Sequence, residues 1–225
     1  MPGTLFIVAT PIGNLADLTE RARETLGAVD LVACEDTRRS GRLLQSIGVR
    51  QKLVSLHEHN EARQLAGLVS ALANGSDVAI ISDAGTPLLS DPGFLVVRAA
   101  AEAGHRIEAI PGPSAILTAL ACSGLPPYPF TFLGFPPPKT GKRKTWLRRF
   151  AELDHTLVIF ESPHRLLASL GDMVETLGDR PAAIGRELTK LHEETLRGLL
   201  SAVLEELEGR PSLKGEFVVV LGRAD

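Results

Sequence analysis

The chain has 225 residues, 44% of them apolar and 23% charged, with a formal net charge of −3. That is enough apolar chain for one large core or two small ones, and no apolar run approaches the roughly 18 residues of a membrane span. The charge balance excludes a protein coated in nucleic acid but leaves room for a local basic patch. Two cysteines, Cys34 and Cys122, exclude a disulfide framework and a cysteine zinc site and read as buried thiols.

In chain order, short β-rich runs alternate with amphipathic stretches of helical length. The opening MPGTLFIVATPIGN lacks the basic region and cleavage site of a signal peptide, so a cytoplasmic location is expected, and its TLFIVAT reads as a strand. LTERARETLGA reads as a helix, VDLVAC as a strand, TRRSGRLLQSIG as a helix and LVSL as a strand. A helix in EARQLAGLVSALANG, the strand DVAIIS, a helix in GFLVVRAAAEAG, the strand RIEAI and a helix in SAILTALACSG follow. This order predicts a parallel sheet with helical crossovers. The proline-rich stretch Gly124 to Pro138 cannot continue a helix and marks a domain junction near Leu125, followed by a short strand. Beyond it come a basic helix RKTWLRRFAEL, the strand TLVIF, a helix after SPHR, the strand AAIGREL, an extended EETLRG, a helix in LSAVLEELEG and the strand EFVVVLG. Two α/β domains are expected, over 1–124 and 125–225.

In open α/β sheets ligands bind beyond the carboxyl ends of the strands, so the residues after each strand are the ones to question. TPIGN makes a turn toward a helix that Asp17 and Glu20 can cap in a D-x-x-E pattern. CEDTRRSGR sets Glu35 and Asp36 at a strand end and Arg38, Arg39 and Arg42 in the first turns of a helix. Cations there oppose the helix dipole, which fits an anion or substrate contact better than a solvated face. In ISDAGTPLLSDPG the small Ala84 and Gly85 let a ligand approach the backbone while Asp83 offers a carboxylate; Asp91 and Pro92 read as an N-cap and first helical position. In PGPSA, Ser114 either caps a helix or binds.

Familiar nucleotide motifs are absent: no G-x-G-x-x-G occurs, and GFPPPKTGKR has the wrong glycine spacing and too few backbone N–H groups for a phosphate loop. His57 and His59 in SLHEHNE lack a third ligand of obvious spacing, so no metal is expected.

VATPIGNL, ACEDTR, SLHEHNE, ISDAGTPLLSDPG, IPGPSA, FLGFPP, IFESPHR and RELTKLHEE occur in order from Leu5 to Leu221 and resemble the ribosomal RNA small subunit methyltransferase I family, within the tetrapyrrole-methylase-like superfamily. The resemblance implies a two-domain α/β enzyme, a homodimer, with S-adenosylmethionine in a cleft between the domains. It implies methylation of the ribose 2′-hydroxyl of a cytidine in the decoding region of 16S ribosomal RNA, within the 30S subunit. Carried onto this chain, cofactor contacts fall at Pro11, Asp83, Ala84, Gly85, Leu88, Ser114 and Ala115, with a far wall from Phe160 and from Leu213, Lys214, Gly215 and Glu216. Many members continue past GEFVVV with a further segment, whereas this chain ends at Arg223, Ala224 and Asp225.

A ribose hydroxyl is a weak acid and loses its proton as the methyl is transferred, so a general base adds to the catalysis that positioning supplies. Candidates are His57, Glu58, Glu35, Asp36, Glu161, and Lys190 with a lowered pKa; Arg165, Arg186 and Lys190 are candidate phosphate or oxyanion partners. PKTGKRKTWLRR, with Lys142, Arg143 and Lys144, is either a solvated helix face or a contact to RNA backbone, as are Arg38, Arg39 and Arg42. A tetrapyrrole methyltransferase, a non-catalytic RNA-binding module and a nicotinamide oxidoreductase are the alternatives; the last lacks its glycine fingerprint.

Overall fold

The computed structural model describes residues 1–223, so Ala224 and Asp225 lie outside the described residues. The chain divides into two compact units, Met1–Ser114 and a second beginning at Ala115. In the first unit, β1 (Leu5–Val8), β2 (Leu31–Cys34), β3 (Leu53–Ser55), β4 (Val78–Ile81) and β5 (Ile107–Ile110) form a parallel sheet of order β3-β2-β4-β1-β5. Its crossovers contain α1 (Glu20–Ala28), α2 (Thr37–Ser46), α3 (Glu61–Ala73) and α4 (Phe94–Glu102). Helices on both faces explain why β4 reads VAII with every residue buried. The two-residue period of the strand then divides the core. Ala79 and Ile81 pack with Ala22, Leu26 and Leu44, while Val78 and Ile80 pack with Leu68, Leu72, Val96 and Ala100.

Two caps differ from expectation. Thr19, not Asp17, caps α1 by accepting the Ala22 N–H at 3.1 Å, because Asp17 is used in a 3-10 turn over Leu15–Asp17 that Asn14 caps. At α4 the cap position is Gly93, at φ 120°, and Asp91 makes no cap. The buried Glu61 of α3 does the work instead, its Oε1 accepting the Gly93 and Leu95 N–H groups at 3.0 and 2.8 Å.

The second unit contains α5 (Ala115–Ser123), β6 (Phe130–Phe132), α6 (Thr140–Leu147), β7 (Thr156–Glu161), α7 (Leu166–Leu177), β8 (Pro181–Arg186), β9 (Glu194–Leu199), α8 (Leu200–Glu208) and β10 (Phe217–Leu221). Its sheet order is β6-β7-β10-β8-β9, mixed rather than parallel: β10 runs antiparallel to β7 and β8, β9 antiparallel to β8, and only β6 parallel to β7. The units divide before α5, not after it near Leu125. The physical reason is packing: α5 lies against β8, β9 and β10, and Pro126 and Pro129 in the proline-rich stretch accept hydrogen bonds from Thr156 of β7. Of the two thiols, Cys34 is buried as expected and Cys122 is exposed. Among the described residues no helix is long and apolar enough to cross a membrane.

Candidate functional site

The loops after β2, β3 and β4 enclose an open groove of about 1110 Å³ at one edge of the parallel sheet. It is lined by Glu35, Asp36, Thr37, Arg38, Arg39, Arg42, Ser55, His57 and Asp83. Asp36 is the N-cap of α2: its Oδ1 accepts the Arg38 N–H at 2.8 Å, and its Oδ2 pairs with the Arg38 guanidinium at 2.9 Å. These side-chain and backbone hydrogen bonds from Arg38 hold the Asp36 carboxyl at about 2, below the usual carboxylate range. A carboxylate that weak is a poor proton acceptor, which counts against Asp36 as a general base.

Asp83 joins neighbouring corners, with Oδ1 accepting the Asp36 N–H at 3.3 Å and Oδ2 pairing with Arg39 at 3.0 Å. Of the arginines that oppose the helix dipole, Arg38 is therefore balanced by Asp36 of its own corner and Arg39 by Asp83 of the neighbouring one, while Arg42 has no ion-pair partner among the described residues. On the third corner the His57 N–H donates to Asn60 Oδ1 at 2.8 Å, Asn60 Nδ2 donates to the Ser55 carbonyl at 3.0 Å, and His57 Nδ1 is buried without a hydrogen-bond partner among the described residues. Glu58 is exposed and outside the groove lining. Thr37 and Ser55 complete the lining; neither stands out in the sequence, since only the adjacency of β2 and β3 brings them in.

The loops after β1, β4 and β5 interlock. Thr10 and Gly85 exchange backbone hydrogen bonds at 2.9 and 3.0 Å, and Thr86 Oγ1 donates to the Pro113 carbonyl at 3.4 Å. Gly85 has φ +81°, and an added Cβ would lie 3.2 Å from Ile12 Cγ2. Its missing side chain is thus required by the turn itself. Ala84, by contrast, is exposed beside it, as are Gly13 and Gly112, while Pro11 and Ser114 are half-buried. This rim offers backbone polar groups with almost no side-chain bulk, which fits a cofactor bound along the backbone.

Just beyond, Leu88 and Ser90 are held at φ 76° and 77°, a costly conformation for residues with a Cβ. Leu88 is half-buried, its Cδ2 2.8 Å from where a Cβ on Gly93 would sit. Burial, then the charges of Glu35 and Asp83, raise the Asp91 carboxyl to about 6.

In the second unit the antiparallel register sets Glu161 and Arg186 on either side of Phe217. The Glu161 side chain is fully buried: Oε1 accepts the Ser162 N–H and pairs with Arg165, each at 2.8 Å, and Oε2 has no hydrogen-bond partner among the described residues. Phe160 packs its ring against Phe132 and Phe135. Arg186 donates to the Lys214 carbonyl at 2.9 Å and pairs with Glu194. Lys190 contradicts the expectation of a lowered pKa. Burial alone would lower its ammonium, but bonds to Glu187 and Glu216 at 2.8 and 2.9 Å outweigh burial and raise it. A charged, paired ammonium does not take up a proton. Gly215, at φ +105°, lies directly under the Glu187 side chain, and Leu213 packs against the core.

The basic segment also needs correction. Arg143 is only 2% exposed and pairs with Asp172 of α7 at 2.6 Å, with further bonds to Thr140, Pro138 and Ala168. Lys144 pairs with Glu175 and Asp172. Both hold α6 on α7 and are not free for RNA, whereas Lys142 is exposed.

Residues 4–204 match the family of Tetrapyrrole (Corrin/Porphyrin) Methylases. Over 222 residues the chain is 53% identical to the ribosomal RNA small subunit methyltransferase I of Mesorhizobium japonicum, covering 98% of this chain and 76% of that protein. The protein of the same name from Haemophilus influenzae is 48% identical over 224 residues, 98% of this chain and 79% of that one. Among solved structures, the methyltransferase CobJ superposes with a TM-score of 0.72 over 99% of this chain and 95% of its own, at 18% identity, a likeness of fold alone. With a full-length fold match and about half its residues shared with these relatives, the chain belongs to the ribosomal RNA small subunit methyltransferase I family, within the tetrapyrrole methylases.

Proposed function

We propose that this chain is an S-adenosylmethionine-dependent methyltransferase of 16S ribosomal RNA, acting on the ribose 2′-hydroxyl of a cytidine in the decoding region, within the 30S subunit, as a cytoplasmic homodimer. The observation that carries the reading is the match over nearly the whole chain to proteins named for ribosomal RNA small subunit methylation. Family membership and the small-residue rim beyond β1, β4 and β5 support S-adenosylmethionine as donor. When bound, that cofactor supplies a methyl group already activated on a sulfonium.

The chain's own residues have the remaining tasks. Pro11, Ala84, Leu88, Ser114 and Ala115 would hold the cofactor chiefly through backbone groups, with Asp83 and Gly85 fixing the loop. Arg39 and Arg42 along the groove suit the sugar-phosphate backbone, and fixing the acceptor hydroxyl is the larger part of the catalysis. Of the candidate bases, Glu35 and His57 line the groove once Asp36 is set aside.

The test is transfer of labelled methyl from S-adenosylmethionine to 30S subunits lacking the modification, followed by nuclease digestion and mass spectrometry. The expected product is a cytidine carrying the mass on its ribose, with the adjoining linkage resistant to alkali. Mass on a base, or transfer only to a tetrapyrrole, overturns the reading.

A further inference from the structure

We propose that one face of α6 is a second RNA-contact site, a groove that takes a single-stranded segment of the substrate; this rests on the ribosomal RNA reading above. Gly141, Lys142, Thr145, Trp146 and Arg149 line a groove of about 410 Å³. Lys142, Thr145, Trp146 and Arg149 stand at i, i+3, i+4 and i+7, the spacing of a single helix face. The face continues from α6 into the 3-10 turn Arg148–Phe150.

Charge on this helix is sorted by face. Arg143 and Lys144, turned toward α7, are neutralised by Asp172 and Glu175. Lys142 and Arg149 have no carboxylate within ion-pair reach among the described residues, and both line the groove. At 1.5 Å per residue they stand about 10 Å apart along the helix, so they engage different phosphates of one strand.

Between them, Trp146 is anchored edge-on to Phe150, ring centroids 5.1 Å apart, and packed on the core, so its orientation is set before anything binds. The Arg149 guanidinium is held 5.7 Å from the Phe150 ring centre. Gly141 leaves the groove open: a Cβ there would meet nothing within 4 Å. A preset aromatic ring flanked by unpaired cations, with no acidic residue in the lining, suits an unstacked base and its two phosphates; a duplex keeps its bases stacked and offers the ring nothing.

The test uses fluorescence anisotropy of the whole chain with a short labelled single-stranded RNA of mixed sequence over a range of salt. Parallel titrations use a hairpin duplex and anionic lipid vesicles, and each variant is also assayed for methyl transfer to 30S subunits. The double variant Lys142→Gln, Arg149→Gln changes only exposed side chains. It should reduce the salt slope by about 1.4 and weaken binding about 25-fold at 0.1 M salt, the effect of two lost phosphate contacts. Gly141→Leu should fill the groove and weaken RNA binding without changing the slope, and its thermal stability should hold or rise, since glycine is a poor helix former. Unchanged affinity and slope in both variants overturn the site, as does an effect confined to the duplex or to vesicles. Failure of the wild-type chain to methylate 30S subunits overturns the substrate reading instead, so the two failures are distinguishable.

Discussion

Asp91 sits in a strained loop with its carboxyl raised to about 6, by burial first and then by Glu35 and Asp83. A raised carboxyl binds more protons in the folded than in the unfolded chain between about pH 4 and 6, so its contribution to stability is full below the ordinary aspartate value and lost as pH rises through 6. Asp91→Asn should therefore match the wild type in melting temperature near pH 3.5 and exceed it at pH 7 to 8, by roughly 2 to 4 °C if about 1 kcal/mol survives solvent screening. Melts followed by circular dichroism across that range check it; an equal gain at both ends would remove the electrostatic explanation. Neighbouring loop residues separate folding from binding just as cleanly. Gly85→Ala places a Cβ at φ +81° beside Ile12 and should lower stability by about 1 to 2 kcal/mol. Exposed Ala84→Val should leave stability within about 0.5 kcal/mol yet weaken S-adenosylmethionine binding at least about tenfold, or 1.4 kcal/mol. Calorimetric titration of the folded variant decides, and wild-type affinity would take Ala84 out of the cofactor site.

At the scale of elements, α6 shows how similar residues acquire opposite roles. Its sequence TGKRKTWL carries three consecutive cations with nothing local to distinguish them. Packing against α7 turns Arg143 and Leu147 inward, sets Lys144 beside Glu175 and leaves Lys142 outside. A buried ion pair is costly to break, because the surviving partner stays desolvated. Arg143→Met should thus destabilise the chain by about 3 to 5 kcal/mol, since Asp172 would retain only Lys144 at 3.6 Å. Adding Asp172→Leu should restore most of that loss. Urea unfolding of the wild type, both single variants and the double variant measures the coupling, and an additive double variant would mean that the pair does not act as a unit.

At the scale of the molecule, strand and helix positions are legible from the sequence because they depend on local patterns: a short continuous apolar run for β4, a period of three to four residues for α2 and α7. Four strand ends of the first unit, after β1, β2, β4 and β5, are legible as candidate ligand loops because their turns announce themselves through glycine, proline and polar residues, whereas SLHEHNE after β3 holds neither glycine nor proline. What the local pattern does not contain is strand order. The order β3-β2-β4-β1-β5 gathers Glu35, Arg39, His57 and Asp83 in one groove and locks Thr10 against Gly85. Likewise the antiparallel β10 between β7 and β8, which sets Glu161 and Arg186 beside Phe217, reflects pairings between residues far apart in the chain. By itself the sequence determined the α/β class, the positions of the elements, the motifs that carry the family and the absence of a dinucleotide fingerprint, all properties of contiguous residues. Only the tertiary structure decided which charges are neutralised, that Arg143 and Lys144 are structural while Lys142 is exposed, that Lys190 stays protonated, that Glu61 and not Asp91 caps α4, and that α5 belongs with the second sheet. Each of those depends on burial and on partners brought together through space, which no local pattern of residues records.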